Sequence, residues 1–292
     1  MRRAGTVLVA LLAACSAPQP PPPPPPRAVV VVTPGTVDPW AGAAPAIASR
    51  LEGLGLEPGI RRPVSAADVE PLLVRLGEAG TRLVVCLGPV CETAVFTVAP
   101  GEPTTRWIVA PGSVHAGNAA GIEFAWEEAA YVAGALAAAA VERPAVRVTD
   151  PGACGEAVVA ALRGGLRSRA RRFELLAGPP TRGAPPADVE VACPGVPAPR
   201  APLVVGLAGA RPAGAVAVAV ADAAAAVERV ARDLVVASLP GRAYRFDLAS
   251  ALLRLEITPA GRRILAPEAL AAADEATGEV ISGVAEIEIL GF

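Results

Sequence analysis

Arg27-Ala28-Val29-Val30-Val31-Val32-Thr33 is the stretch that decides the fold class of this 292-residue chain. Four successive valines after an alanine show no alternation of polar and apolar residues, so neither face of the strand they predict is made for water. Strands apolar on both faces belong to parallel sheets covered by helices on both sides. The sequence that follows agrees. Ala41 to Leu54 reads as a helix ending near Gly53 and Gly55, and Ser65-Ala66-Ala67-Asp68 opens another that runs through Glu78 to a stop at Gly80. Further apolar strands are predicted at Arg82–Cys86, Arg106–Ala110 and Gly121–Phe124. Buried strands alternating with helices specify an α/β fold.

The pattern then repeats. A helix over Ala125–Val141 leads to a strand at Ala145–Thr149 and a helix from about Cys154 to Arg169. Strands are expected at Arg172–Leu176, Asp188–Ala192, Leu203–Leu207 and Ala215–Val220. Asp222 is placed to cap a long helix reaching Ser238, since its carboxylate can accept from the free amides of a first turn. The tail combines a strand at Leu252–Ile257 with a helix around Pro267–Ser282. The simplest organisation is two α/β halves joined near residue 125. Residues 28–124 with about 221–247 form the first lobe; 125–220 with about 248–292 form the second.

Ahead of the folded part, Arg2 and Arg3 precede a short apolar run, Val7 to Ala14, and Leu12-Ala13-Ala14-Cys15 closes it. A basic start, an apolar core and small residues make an export signal over 1–14. The run is far short of the roughly 20 residues that span a bilayer. Cys15 is the expected lipidation site, its thiol taking a diacylglycerol once the leader is removed. The unbroken Pro20–Pro26 run then forms a stiff polyproline spacer of about 20 Å within a linker over 15–27. The expected location is therefore the cell envelope, tethered by lipid to a membrane and facing the periplasm or exterior. Ser16 in second place would permit transfer to an outer membrane in a two-membrane envelope.

Arginine is the only strong base, with 26 set against 28 acids for a formal charge of −2; loss of Arg2 and Arg3 leaves 24 against 28, or −4. Nucleic acid is excluded as a partner because phosphate binding requires a net basic face. The cluster Arg163, Arg167, Arg169, Arg171 and Arg172 falls at helical spacing and reads as a solvated helix face. With Cys15 lipidated, Cys86, Cys91, Cys154 and Cys193 remain, and in an oxidising compartment four cysteines suggest two disulfides with three possible connectivities. Cys86–Cys91 with Cys154–Cys193 is preferred because each pair then stays within one lobe. A four-cysteine zinc site lacks its usual close C-x-x-C pairs, and no metal or cofactor is expected.

Gly121-Ile122-Glu123-Phe124-Ala125-Trp126-Glu127-Glu128-Ala129-Ala130-Tyr131-Val132-Ala133-Gly134 resembles a hallmark of the basic membrane protein family: a strand ending in Phe, an acidic pair, an aromatic, then Ala-Gly in a helix. Thr277-Gly278-Glu279-Val280-Ile281-Ser282-Gly283 is similar to that family's terminal helix. The resemblance implies two doubly wound, Rossmann-like lobes with a central cleft, the type I periplasmic binding protein fold. It also implies a lipid-anchored solute-binding protein that serves an ABC-type permease, with nucleosides as the family's ligands.

Carried over residue by residue, the resemblance places the ligand against Asp38 and Trp40 after the first strand, Gly88 after Cys86-Leu87, Pro194 and Gly195 after Cys193, and Ala208 after Leu207. Trp40 could stack on a flat ligand or close the core edge, and Asp38 could equally cap the following helix. Two departures matter. Ala41 stands where the family has an asparagine, and Ala208 where it has an aspartate for ribose hydroxyls. Loss of that carboxylate removes the main reason to expect a nucleoside, so the fold and the general role carry over and the ligand does not. The other reading is an envelope lipoprotein that keeps the fold as a sensor or scaffold. Enzyme chemistry finds little support. The single histidine, His115, lies two residues from Ser113 in a glycine-containing loop, and adjacent Glu127 and Glu128 diverge on a helix, where their charge suits its first turn.

Overall fold

The computed structural model describes residues 27–179, 186–193, 201–208, 210, 212–285 and 287. Cys15, Ser16, the proline run, Pro194 and Gly195 lie outside the described residues. Two sheets organise the rest. Into the first go β1 (Arg27–Val32), α1 (Trp40–Glu52), β2 (Glu57–Arg61), α2 (Val69–Glu78), β3 (Leu83–Leu87), α3 (Cys91–Val98), β4 (Arg106–Ala110), the short β5 (His115–Ala116) and β6 (Ala119–Phe124). Into the second go α4 (Trp126–Ala140), β7 (Ala145–Val148), α5 (Pro151–Cys154), α6 (Glu156–Arg169), β8 (Glu174–Ala177), β9 (Val189–Ala192), β10 (Leu203–Gly206) and β11 (Ala217–Ala221). The chain returns to the first for α7 (Ala223–Ala231) and β12 (Ala243–Phe246), then ends on the second with β13 (Leu253–Ile257), α8 (Pro259–Ile264) and α9 (Pro267–Ile281).

The strand orders are β12-β6-β4-β3-β1-β2, with β5 beside β6, and β13-β11-β10-β9-β7-β8. Pairing is parallel except for β5 on β6 and β13 on β11. The fold is α/β and two-lobed. In the first sheet the chain moves from β1 out to β2 and then back past β1 to β3; the second repeats this with β7, β8 and β9. Each reversal opens a crevice at the carboxyl ends of two neighbouring strands, the place where doubly wound sheets bind ligands. Among the described residues no helix is long and apolar enough to cross a membrane.

The double-sided burial expected of the valine run is observed: Ala28 to Val32 are all buried, between β2 and β3. The weaker elements escaped sequence reading. β2 carries Pro58 and Gly59 and only partial burial, because it is an edge strand and its sequence lacks an apolar run. The predicted Asp222–Ser238 helix stops at Ala231 and continues as one wider π-type turn over Arg232–Val236. The predicted Cys154 helix start is displaced by Asp150, whose side chain accepts from Ala153 N–H and opens the one-turn α5.

The motif that carries the family resemblance has a packing explanation. A Cβ on Gly134 of α4 would sit 2.2 Å from the Leu162 carbonyl oxygen, and one on Gly165 of α6 would sit 1.9 Å from the Tyr131 carbonyl oxygen. The two helices therefore touch backbone to backbone, with α9 alongside. The Ile-Ser-Gly ending of α9 is a helix stop: Gly283 takes φ +71°, and Val284 N–H returns to the Glu279 carbonyl at 2.9 Å. Gly134→Ala and Gly165→Ala should each destabilise the protein by about 1–3 kcal/mol, the usual cost of overpacking. Denaturant unfolding measures it, and a change at Gly278, whose Cβ would meet open space, should cost nothing comparable.

Candidate ligand cleft

Both crevices are tied shut at their strand ends. In the first lobe the hydroxyls of Thr33 and Thr36 both donate to the Leu87 carbonyl, at 3.0 and 2.8 Å. Gly88 makes this possible: it adopts φ +119°, and a Cβ there would fall 2.2 Å from both threonine oxygens. Gly88 is buried, so its part is to let the β1 and β3 loops meet. In the second lobe the corresponding tie is covalent, Cys154–Cys193, joining the segments after β7 and β9 with Cα atoms 5.3 Å apart. Cys86 and Cys91 form the other disulfide, across the turn from β3 into α3 with Cα atoms 5.5 Å apart. Each pair lies within one sheet's set of elements, as the sequence analysis preferred.

A cavity of about 430 Å³ opens between the two lobes. The first lobe contributes Asp38, the early turns of α1 and, at the start of α7, Asp222; the second contributes the end of β11 and Arg254 of β13. Three charged side chains face it. Asp38 accepts from Gly42 N–H at 3.3 Å and Asp222 from Ala225 N–H at 2.9 Å, so each carboxylate also serves a helix start. The second oxygen of Asp222 lies 3.5 Å from Arg50, whose guanidinium is held mainly by Glu228 at 2.7 Å. Arg254 Nε donates to Glu256 at 2.7 Å. Two carboxylates and one guanidinium can receive a polar solute through its hydroxyl or amino donors, with one acceptor held by the arginine.

Of the described residues named from sequence as ligand contacts, Asp38 alone lines this cavity. Trp40 is 4 % exposed and stacks on Phe124 with ring centroids 5.4 Å apart. It closes the core edge, and its indole face is taken by Phe124 rather than left for a ligand. Ala208 ends the β10 loop at φ +50°, a left-handed conformation that side chains other than glycine seldom adopt. Asp222 and Arg254 were not picked out as ligand contacts. Asp222 was legible only as a helix cap, and nothing in the local sequence of Arg254 shows that β13 lies against β11, with Arg254 opposite Val220.

Among the described residues three chain passages connect the lobes, and the acidic pair of the motif holds two of them together. Ala125 N–H donates to the Phe246 carbonyl at 2.9 Å. Buried Glu127 pairs with Arg245 of β12, and Glu128 accepts Leu248 N–H at 2.9 Å. Phe124, Trp126 and Phe246 pack as a cluster across the same junction. Asp222 N–H bonds to the Leu252 carbonyl at 2.8 Å and joins the remaining passage. Burial raises the Glu128 carboxyl above its ordinary range, Leu248 N–H opposes that, and nearby Asp247 adds to it. In the Ser113–His115 loop the Ser113 hydroxyl donates to Glu92 at 2.9 Å, while His115 Nδ1 meets the Ser113 carbonyl, so no serine–histidine pair assembles.

No family model matches the sequence. No curated protein matches it either. Solved structures do match in fold. An ABC transporter solute-binding protein from Conexibacter woesei superposes with a TM-score of 0.66 at 19 % identity, covering 88 % of this chain and 97 % of that one. One from Aeropyrum pernix gives 0.63 at 15 % identity over 89 % and 92 %. A transcriptional activator of the comK gene from Bacillus halodurans gives 0.68 at 14 % identity over 90 % and 99 %. The fold is that of a type I periplasmic binding protein. At such identities the likeness establishes the fold, and solute receptors and regulators both appear on it.

A group with a raised folded-state pKa adds stability in its protonated form, and that contribution is lost as pH rises through the folded value. Glu128→Gln keeps an acceptor for Leu248 N–H and has no charge to bury. The variant should match the parent near pH 4 and unfold at higher denaturant concentration at pH 7. Urea melts at both pH values test this, and an unchanged difference between the two would refute it.

Proposed function

We propose that this chain is an extracytoplasmic solute-binding lipoprotein that captures a small polar ligand between its lobes and delivers it to an ABC-type permease. The cavity between the lobes carries the reading, because two carboxylates and an arginine from different passages of the chain converge on it. Closure of the lobes about their three connections would bury the ligand from both sides. We take residues 28–124 with about 221–247 as one lobe and 125–220 with about 248–292 as the other. The solute-binding neighbours support the transport role, and the Gly121–Gly134 motif supports a divergent place in the basic membrane protein family. Two disulfides suit an oxidising compartment. Within the cleft we assign recognition to Asp38, Asp222 and Arg254, with Gly88 shaping the loop and Trp40 backing it. Pro194, Gly195 and Ala208 would contribute backbone.

The second reading, a sensor or scaffold at the envelope, is favoured by Ala208 and Trp40: one offers no polar group and the other no free ring face. A thermal-shift screen of the unlipidated protein against nucleosides, bases, sugars and amino acids separates the two. At a hundred times its dissociation constant a ligand stabilises by about 2.7 kcal/mol, a rise of roughly 5–10 °C for a protein of this size. Asp38→Asn and Asp222→Asn preserve the helix starts and should abolish the rise. A well-folded protein with no hit favours the sensor or scaffold.

Anchoring has its own test. The parent should be cleaved before Cys15 and recovered with membranes, while Cys15→Ala should keep its leader and yield no lipid-modified product. Mass spectrometry of the mature N-terminus decides, and a processed, membrane-bound Cys15→Ala protein would disprove the lipid tether.

A further inference from the structure

Among the described residues that line it, a hollow outside the cleft carries charge of one sign only. It lies on the second lobe, has a volume of about 370 Å³, and is lined by Tyr131 of α4, Arg163, Gly164, Arg167 and Ser168 of α6, and Ile287 among others. Arg163 and Arg167 are one helical turn apart, a spacing at which like charges destabilise a helix. Among the described residues neither takes part in an ion pair. Arg169 on the same helix is bonded to Glu279 at 2.7 Å and Glu275 at 3.2 Å. Glu156 shares a neighbouring hollow with Arg163 and forms no ion pair with it. Among the described residues, carboxylates are thus supplied to one arginine of the cluster and not to the two that flank the hollow.

The floor between them is open because Gly164 has no side chain; its Cβ position stands 3.5 Å from the ring of Tyr131. The Ser168 hydroxyl spends its proton on the Gly165 carbonyl at 2.8 Å, so recognition falls to the guanidinium groups. We propose that this hollow is a second binding site, independent of the cleft, for a phosphomonoester. Each guanidinium presents a fork of donors suited to two oxygens, and two forks suit the three terminal oxygens of a phosphate better than the two of a carboxylate. The charge of a phosphomonoester near pH 7, about −1.5 to −2, also balances two arginines. Tyr131 and Ile287 offer an apolar wall to the body that carries the phosphate.

The test is calorimetric titration of the full unlipidated chain with inorganic phosphate and with phenyl phosphate, alongside flotation with vesicles containing phosphatidic acid. Saturable binding of phenyl phosphate is expected, weakened at least tenfold in Arg163→Gln/Arg167→Gln. That variant should melt no lower than the parent, since both side chains are exposed and, among the described residues, in no ion pair, and since removing like charges one turn apart favours the helix. Arg171→Gln/Arg172→Gln removes the same charge outside the hollow and should leave binding intact. Binding to vesicles alone, with the same dependence on Arg163 and Arg167, would support the site and identify a lipid headgroup as the source of the phosphate. No saturable binding of any probe, or equal losses in both double variants, would overturn it. So would binding that appears only in Glu286→Gln/Glu288→Gln, which would make the chain's own carboxylates the occupants.

Discussion

Among the described residues the chain passes between its two sheets three times, and the assembly of the two lobes depends on how those passages are joined. A backbone N–H or carbonyl left unpaired at such a junction would carry the cost of a buried polar group. Here the amides of Ala125, Asp222 and Leu248 are satisfied by Phe246, Leu252 and Glu128, each partner on a different segment from its donor. The Glu127–Arg245 pair and the Phe124 aromatic cluster fill the space between the first and last passages. The junction is therefore fastened by short-range bonds, and one buried apolar cluster runs through it from β1 and β3 of the first sheet to β7 and β9 of the second.

This arrangement revises the meaning of the acidic pair. Adjacent glutamates on a helix point in different directions, which counted against a paired-carboxylate site and left only a role as charge in a first turn. The structure uses the divergence: one side chain reaches Arg245 and the other reaches Leu248 N–H. Both partners lie more than a hundred residues downstream, Arg245 on a strand too short to be read from sequence and Leu248 just beyond it. Tertiary pairing of this kind leaves no local signature, and a first-turn glutamate looks the same whether it faces water or a crossing strand.

The readability of the fold follows the same physics. Valine-rich parallel strands announce themselves because burial on both faces requires an unbroken apolar run. The edge strand β2 and the return strand β12 do not, since Ala-Tyr-Arg-Phe over 243–246 alternates between buried and exposed positions. In the site, Asp38 came from the family resemblance, and it lines the cavity between the lobes. Trp40 was not resolvable, because a tryptophan that closes a core and one that stacks on a ligand occupy the same position in the sequence. In the structure it is buried and stacked on Phe124.

The loop ties limit what the cleft can recognise. Threonine hydroxyls on the Leu87 carbonyl and the Cys154–Cys193 bridge hold the loops of both crevices near fixed positions before any ligand arrives. Preorganisation lowers the ordering cost of binding, so such a site can hold a small solute with few direct contacts. It cannot easily remould itself around a different one. On the proposed function, with Ala208 lacking a side chain to bond sugar hydroxyls, specificity would fall to the carboxylates at the starts of α1 and α7, which already spend one oxygen each on backbone amides. A ligand bearing donors that reach the remaining oxygens fits this arrangement. A flat base that needs an aromatic face does not, since the nearest ring, Trp40, is already stacked.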